Sequence, residues 1–268
     1  MLFSVVILSF NSQRTIDRCL NTLVATLNSY DEESEIIVVE NGSSDRSVEM
    51  LKSKAGEYPN IIRTMFFPQN VGTTMSRNAA LDISSGRYVL VLDSDAYIEK
   101  EALDTLVNYL KDNPRVGMVA PKLFYDDGRF QKSVDVFPTL KRKAERFFAL
   151  NKMQANEEHE KYTATDVDYA ISACWLLKRD AVDAVGGFDE NIFYSPEDVD
   201  YCMQVWNAGY QIHYVPEANV IHDAQELSRG FKISKFHFSH LGGLFYLFKK
   251  YGYFFGLNGL YRKLGRFE

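Results

Sequence analysis

The chain has 268 residues, of which 46% are hydrophobic and 25% charged, and its formal net charge is −6. This supplies the core of one large α/β domain, or of a domain with an appended subdomain, and excludes a disordered chain. The acidic balance excludes nucleic acid as a bulk partner, because that binding needs a basic face to neutralise phosphates.

The opening residues Met1-Leu2-Phe3-Ser4-Val5-Val6-Ile7-Leu8 are apolar, without a basic leader or a small-residue cleavage site. They predict a first strand over 3–9 and not a signal peptide. Ile16, Cys19, Leu20, Leu23 and Leu27 recur at helical spacing and predict an amphipathic helix over 15–28. A second strand is expected at 35–39, then a helix that Asp45 can cap. Residues 61–67 predict a third strand ended by Pro68, and 73–84 a helix closed by Gly86. A fourth strand at 87–92, a helix at 100–112 and a strand at 116–120 follow. Such alternation forces right-handed crossovers, and so a mostly parallel sheet with helices on both faces. Ligands in such sheets bind beyond the carboxyl ends of the strands. Polar pairs stand at that edge four times running: Ser9 and Asn11, Glu40 and Asn41, Gln69 and Asn70, Asp93 and Asp95. Four such loops describe a polar cleft.

The second half is less regular. Asp126-Asp127-Gly128 signals a hairpin, and the charged stretch 151–161 predicts a mobile surface loop. A buried strand over 170–178 precedes a short helix and the turn Gly186-Gly187-Phe188-Asp189. A helix from near Glu197 ends before Gly209, and a strand through Ile212 and Val215 leads to Pro216. Cys19, Cys174 and Cys202 lack metal or redox spacing and read as buried thiols in a reducing compartment.

Asp93-Ser94-Asp95 closes the apolar run 87–92. Two carboxylates one residue apart at a strand end can hold a divalent cation, which usually also bridges substrate phosphates; a plain polar turn is the alternative. The loop Ser9-Phe10-Asn11-Ser12 contains no glycine, and neither G-x-G-x-x-G nor a P-loop occurs. No G-x-S-x-G elbow is present.

Taken in order, several segments resemble glycosyltransferase family 2, whose fold is GT-A. They are Ser4-Val5-Val6-Ile7-Leu8-Ser9-Phe10-Asn11-Ser12, Ile36-Ile37-Val38-Val39-Glu40-Asn41-Gly42-Ser43-Ser44-Asp45, Asn70-Val71-Gly72, Arg77-Asn78, Asp93-Ser94-Asp95, Gly186-Gly187-Phe188-Asp189-Glu190, Pro196-Glu197-Asp198-Val199-Asp200-Tyr201-Cys202 and Val220-Ile221-His222. The pattern is most similar to bacterial, rhamnosyltransferase-like members that build surface polysaccharide. The resemblance implies a GT-A catalytic domain over 1–230, with a nucleotide-binding half at 1–120 and an acceptor-side half at 121–230, and a C-terminal helical segment at 231–268. It implies Mg²⁺ or Mn²⁺ held by Asp93 and Asp95 and completed by His222, with Asp198 as the base that deprotonates the acceptor hydroxyl. Glu197 and Asp200 would raise the pKa of Asp198 by like-charge repulsion.

Ser9, Phe10, Asn11, Glu40, Asn70, Arg77 and Ser94 fall on the nucleotide side. Glu40 stands where the family usually has Asp, which leaves the base contact open. Arg77 either reaches base or phosphate or lies on a solvated helix face. Ser172, Ala173, Trp175 and Glu197 fall near the donor sugar and acceptor, where Trp175 either stacks on a sugar or sits in the core. The implied donor is a UDP- or dTDP-linked sugar, and the implied acceptor a glycan or lipid-linked saccharide. A sugar nucleotidyltransferase, or a non-catalytic binding protein of the same fold, is the rival.

Residues 237–267 mix aromatics with Lys and Arg and are broken by Gly252, Gly256 and Gly259. They either lie on an anionic bilayer as peripheral contact or pack on the domain. The expected location is the cytoplasm, with the inner face of the membrane as the site of any such contact.

Overall fold

The structure, a computed structural model, describes residues 1–142, 163–224 and 235–266. The expected loop at 151–161 and the expected domain boundary at 230/231 lie outside the described residues.

Four strands open the sheet: β1 (Phe3–Ser9), β2 (Glu35–Asn41), β3 (Ile62–Phe67) and β4 (Tyr88–Asp93). They alternate with α1 (Ile16–Leu27), α2 (Ser47–Glu57) and α3 (Thr73–Leu81). β1 pairs in parallel with β2 and β4, and β2 with β3. The short β5 (Ala96–Tyr97) and α4 (Lys100–Asp112) lead into β6 (Val116–Phe124). After it come β7 (Phe130–Gln131), β8 (Val134–Asp135), β9 (Thr165–Asp166), β10 (Tyr169–Ala170) and β11 (Cys174–Lys178). The chain continues through α5 (Arg179–Val185), α6 (Glu197–Asn207), β12 (Gln211–His222), α7 (Lys235–Tyr251) and α8 (Asn258–Lys263). The main sheet runs β3-β2-β1-β4-β11-β6-β12-β5, with β7 on β6 and β9 on β12.

The strands carry apolar residues on both faces, and helices cover both. In β1, Phe3, Val5 and Ile7 point into a core shared with α1, α2 and α4, while Val6 points into a second core shared with α3, α5, α6, α7 and α8. Leu90 and Leu92 against Val89 and Val91 repeat the split in β4. The period of two is that of a strand buried on both sides.

Three expectations change in detail. α3 ends at Leu81, and Gly86 does not cap it: a Cβ there would lie 2.3 Å from the Ser4 backbone N, so close approach to β1 is what requires glycine. The stretch 170–178 divides into β10 and β11 around a turn. β12 runs through Pro216 to His222, with its register against β6 shifting between Val215 and Asn219. A bulge of that kind accommodates the missing proline N–H.

The loop after β2 depends on Gly42, whose φ is +73° and whose Cβ would meet the Gln69 carbonyl carbon at 2.4 Å. Gly42→Ala is expected to destabilise the protein by about 2–4 kcal/mol, because strain and overlap with backbone add. Thermal unfolding reads this directly, and an unchanged midpoint would show that the two loops do not touch.

Candidate active site

Asp93 ends β4 and Asp95 precedes β5, while β12 delivers His222 opposite Ala96 in antiparallel register. One ligand atom from each of the three side chains lies within 4.8 Å of the others. His222 Nε2 is 3.3 Å from Asp95 Oδ1 and 3.9 Å from Asp93 Oδ2. The other ring nitrogen, Nδ1, is 2.9 Å from Gln131 Oε1 on β7. Donation of Nδ1–H to that oxygen turns the Nε2 lone pair towards the carboxylates, the usual outer support of a metal-ligating histidine. Burial pulls the His222 imidazole down, but the hydrogen bond and charge of Asp95, with Asp93 and Asp223 behind it, outweigh burial and raise it. Burial pushes the Asp93 carboxyl up, with the charge of Asp95 adding to it and Arg77 and His222 opposing it. Two carboxylates and an imidazole fit Mn²⁺ and, less specifically, Mg²⁺.

Arg77 is not on a solvated face. It is 4% exposed, with NH2 2.8 Å from Asp93 Oδ1 and NH1 3.2 Å from Glu197 Oε1. One guanidinium therefore joins the acidic turn after β4 to the first residue of α6. Burial pushes the Glu197 carboxyl up to about 8, with the charge of Asp198 adding and Arg77 opposing. Asp198 follows in the first turn, half-buried, and its Oδ1 accepts the Val199 N–H at 2.8 Å. Asp200 does not share this field as expected: Lys250 Nζ sits 2.7 and 3.0 Å from its two oxygens.

The four loops at the carboxyl edge are tied to one another. Asn11, at φ 51°, accepts the Ser44 N–H through Oδ1 at 2.9 Å. Glu40 is 1% exposed, and its carboxylate accepts the Gly42 and Ser43 N–H groups at 3.2 and 2.7 Å. The side chain one methylene longer than Asp is folded onto its own loop rather than held out towards a base. Asn70 Oδ1 accepts from Gly72 N–H at 2.9 Å and from Asn41 Nδ2 at 3.1 Å. Ser94 Oγ lies 2.7 Å from Ser12 Oγ, joining the acidic turn after β4 to the first loop. Ser9 Oγ is buried without a hydrogen-bond partner among the described residues, and Phe10 is 37% exposed beside it.

Ser172 is buried, and the Ala173 carbonyl accepts the Asp93 N–H at 3.0 Å, so Ala173 supports the acidic turn through backbone. Trp175 is fully buried in β11 beside the stacked rings of Phe188 and Tyr201, with ring centroids 6.3 and 5.8 Å away. It belongs to the core and does not stack on a sugar. Asn78 bonds the Phe188 backbone and Glu190, so two further segments of the resemblance meet there. Sequence reading missed Gln131 and Lys250. Neither sits in a recognisable pattern; only the β6–β7 hairpin and the packing of α7 bring them to the site.

This architecture is a GT-A fold, shared with solved glycosyltransferases. The profile described as "Glycosyl transferase family 2" matches residues 4–186, and the chain belongs to that family. Among curated relatives, it is 31% identical over 167 residues to Rhamnosyltransferase WbbL of Escherichia coli (strain K12), covering 61% of this chain and 62% of that one. It is 28% identical over 205 residues to N-acetylglucosaminyl-diphospho-decaprenol L-rhamnosyltransferase of Mycobacterium tuberculosis (strain ATCC 25618 / H37Rv), covering 70% and 66%. The crystal structure of GalNAc-T7 with UDP, GalNAc and Mn²⁺ superposes with a TM-score of 0.63 at 14% identity, covering 86% of this chain and 46% of that one. The chain spans less than two thirds of the length of these curated relatives.

Proposed function

We propose that the protein is an inverting, metal-dependent glycosyltransferase that moves a hexosyl or deoxyhexosyl group from a nucleoside diphosphate to a hydroxyl of a glycan or lipid-linked saccharide. One observation carries this reading. The Asp93, Asp95 and His222 cluster is joined through Arg77 to Glu197, the residue next to Asp198 at the start of α6. In the reaction, the acceptor oxygen forms a bond to the anomeric carbon as the bond to the β-phosphate oxygen breaks. The electron pair leaves with the diphosphate, and the acceptor proton passes to Asp198. Attack from the face opposite the leaving group inverts the anomeric centre. Asp93, Asp95 and His222 would hold a divalent cation, which when bound neutralises charge on the departing diphosphate.

The relatives support a lipid-linked acceptor, since one is named for a diphospho-decaprenol substrate, and GalNAc-T7 was solved with UDP and Mn²⁺. A UDP- or dTDP-linked donor fits the cleft rim of Ser9, Phe10, Asn11 and Ser94. Glu40, held on its own loop, shapes that rim. No helix among the described residues is long and apolar enough to cross a membrane. We infer a cytoplasmic location.

The direct test is release of nucleoside diphosphate from candidate donors with and without Mn²⁺. Turnover that requires Mn²⁺ is the expected result; nucleotide binding that ignores metal, with no turnover from any donor, would assign a binding protein instead. In the same preparation Asp95→Ala should abolish Mn²⁺-induced thermal stabilisation. Gln131→Leu should weaken Mn²⁺ binding by about 10–100-fold, the usual cost of removing the partner that orients a histidine ligand.

A further inference from the structure

We propose that the outward edge of α7, the turn after it and the exposed cations of α8 form a docking face for an anionic bilayer. α7 is two-sided. Leu244, Leu247 and Phe248 are buried in the core under the sheet, whereas Leu241 and Phe245 are 52% and 60% exposed. Those two stand one turn apart, and the exposed Lys249 continues the stripe on the next turn. Gly252, at φ +68°, follows the end of the helix, and Phe254 and Phe255 come next at 41% and 75% exposure. Apolar side chains exposed singly need no explanation, but four large ones within fifteen residues at a helix end do.

The charge beside them selects the partner. Residues 236–266 contain Lys249, Lys250, Arg262, Lys263 and Arg266 and no Asp or Glu, in a chain whose net charge is −6. Lys250 is neutralised by Asp189 and Asp200, and Arg266 by Asp166 and Asp168. Lys249, Arg262 and Lys263 are exposed and form no ion pair among the described residues. Lys263 Nζ donates to the Tyr251 carbonyl, which leaves its charge uncompensated. Exposed phenyl rings beside uncompensated cations match the headgroup layer of an anionic membrane. A second copy of this chain fits worse, because an isologous contact would set the cations against one another.

The face adjoins the catalytic side. A Cβ on Gly243 would lie 2.2 Å from the Ser195 carbonyl oxygen, and His240 Nδ1 is 2.8 Å from Ser195 Oγ. α7 therefore rests on the segment leading into Asp198. Docking through a helix that rests on this segment deepens the lipid-linked acceptor reading and draws only its purpose from it.

The test is co-sedimentation of the full chain with vesicles of phosphatidylcholine alone or mixed with phosphatidylglycerol. Binding to the mixed vesicles and release by salt are expected. Phe245→Ser with Phe255→Ser should weaken binding by about tenfold or more, and so should Lys249→Glu with Arg262→Glu. Both variants should keep the wild-type melting temperature, because the altered side chains face outwards. Absence of wild-type binding, or equal binding by the variants, overturns the proposal. So does a concentration-dependent dimer that Phe245→Ser with Phe255→Ser dissociates, which would assign the face to a second copy. Nucleoside diphosphate release, measured alongside without vesicles, reports on the transferase reading separately.

Discussion

Asp198→Asn is expected to lower kcat by about 10²–10⁴-fold while leaving nucleoside diphosphate affinity within about twofold. The substitution keeps the size of the side chain and an oxygen able to accept the Val199 N–H, so the start of α6 stays intact. What it removes is the capacity to take a proton from the incoming hydroxyl. Donor binding is expected to survive because the proposed grip on the diphosphate lies with Asp93, Asp95 and His222. Steady-state kinetics together with calorimetric titration of nucleoside diphosphate separate the two effects. Equal losses in affinity and turnover would move Asp198 from proton transfer to donor binding. A variant with wild-type kcat would leave Glu197 as the base; its raised pKa, up to about 8, makes it the competing proton acceptor.

Much of this geometry was legible in the sequence because it rests on local pattern. Strands buried on both faces read as unbroken apolar runs, and each crossover puts its following loop on the same edge of the sheet. That is why Ser9, Glu40, Asn70 and Asp93 could be assigned to one edge of the sheet without coordinates. The contacts that decide protonation and orientation were not legible, since they join residues far apart in sequence. Arg77 meets Glu197 across 120 positions, and His222 meets Gln131 across 91. Trp175 shows the opposite limit. The resemblance left it either stacking on a sugar or sitting in the core, and strand parity turns the indole into the core with Phe188 and Tyr201. Asp200 was grouped with Asp198 by adjacency, although on a helix residues two apart do not share a face, and Lys250 claims it instead.

Arg77→Met is expected to cost about 3–5 kcal/mol, a fall in Tm on the order of 10 °C, because it strands carboxylates in a poorly solvated site. The guanidinium is the cation that pairs with both Asp93 and Glu197 at 4% exposure, and Met replaces its volume but not its charge. The cost should depend on pH in a defined direction. The Glu197 carboxyl is raised above its ordinary value, so its contribution to stability is fully present below about 4.5, declines above that and is lost as pH rises through about 8. Arg77 opposes that rise, so its removal lifts the Glu197 pKa further, and the variant should fall further behind wild type on the alkaline side of about 8 than at about pH 6. Adding Glu197→Gln removes the carboxyl that ionises on the alkaline side and should recover part of the loss there. Mn²⁺ should recover another part if the cation takes over the neutralisation of Asp93. Thermal unfolding of the single and double variants, with and without Mn²⁺ across that pH range, separates the contributions. An Arg77→Met protein as stable as wild type at every pH would mean that the bridge from the acidic turn to α6 carries no energy, and that the two halves of the site are held together by packing alone.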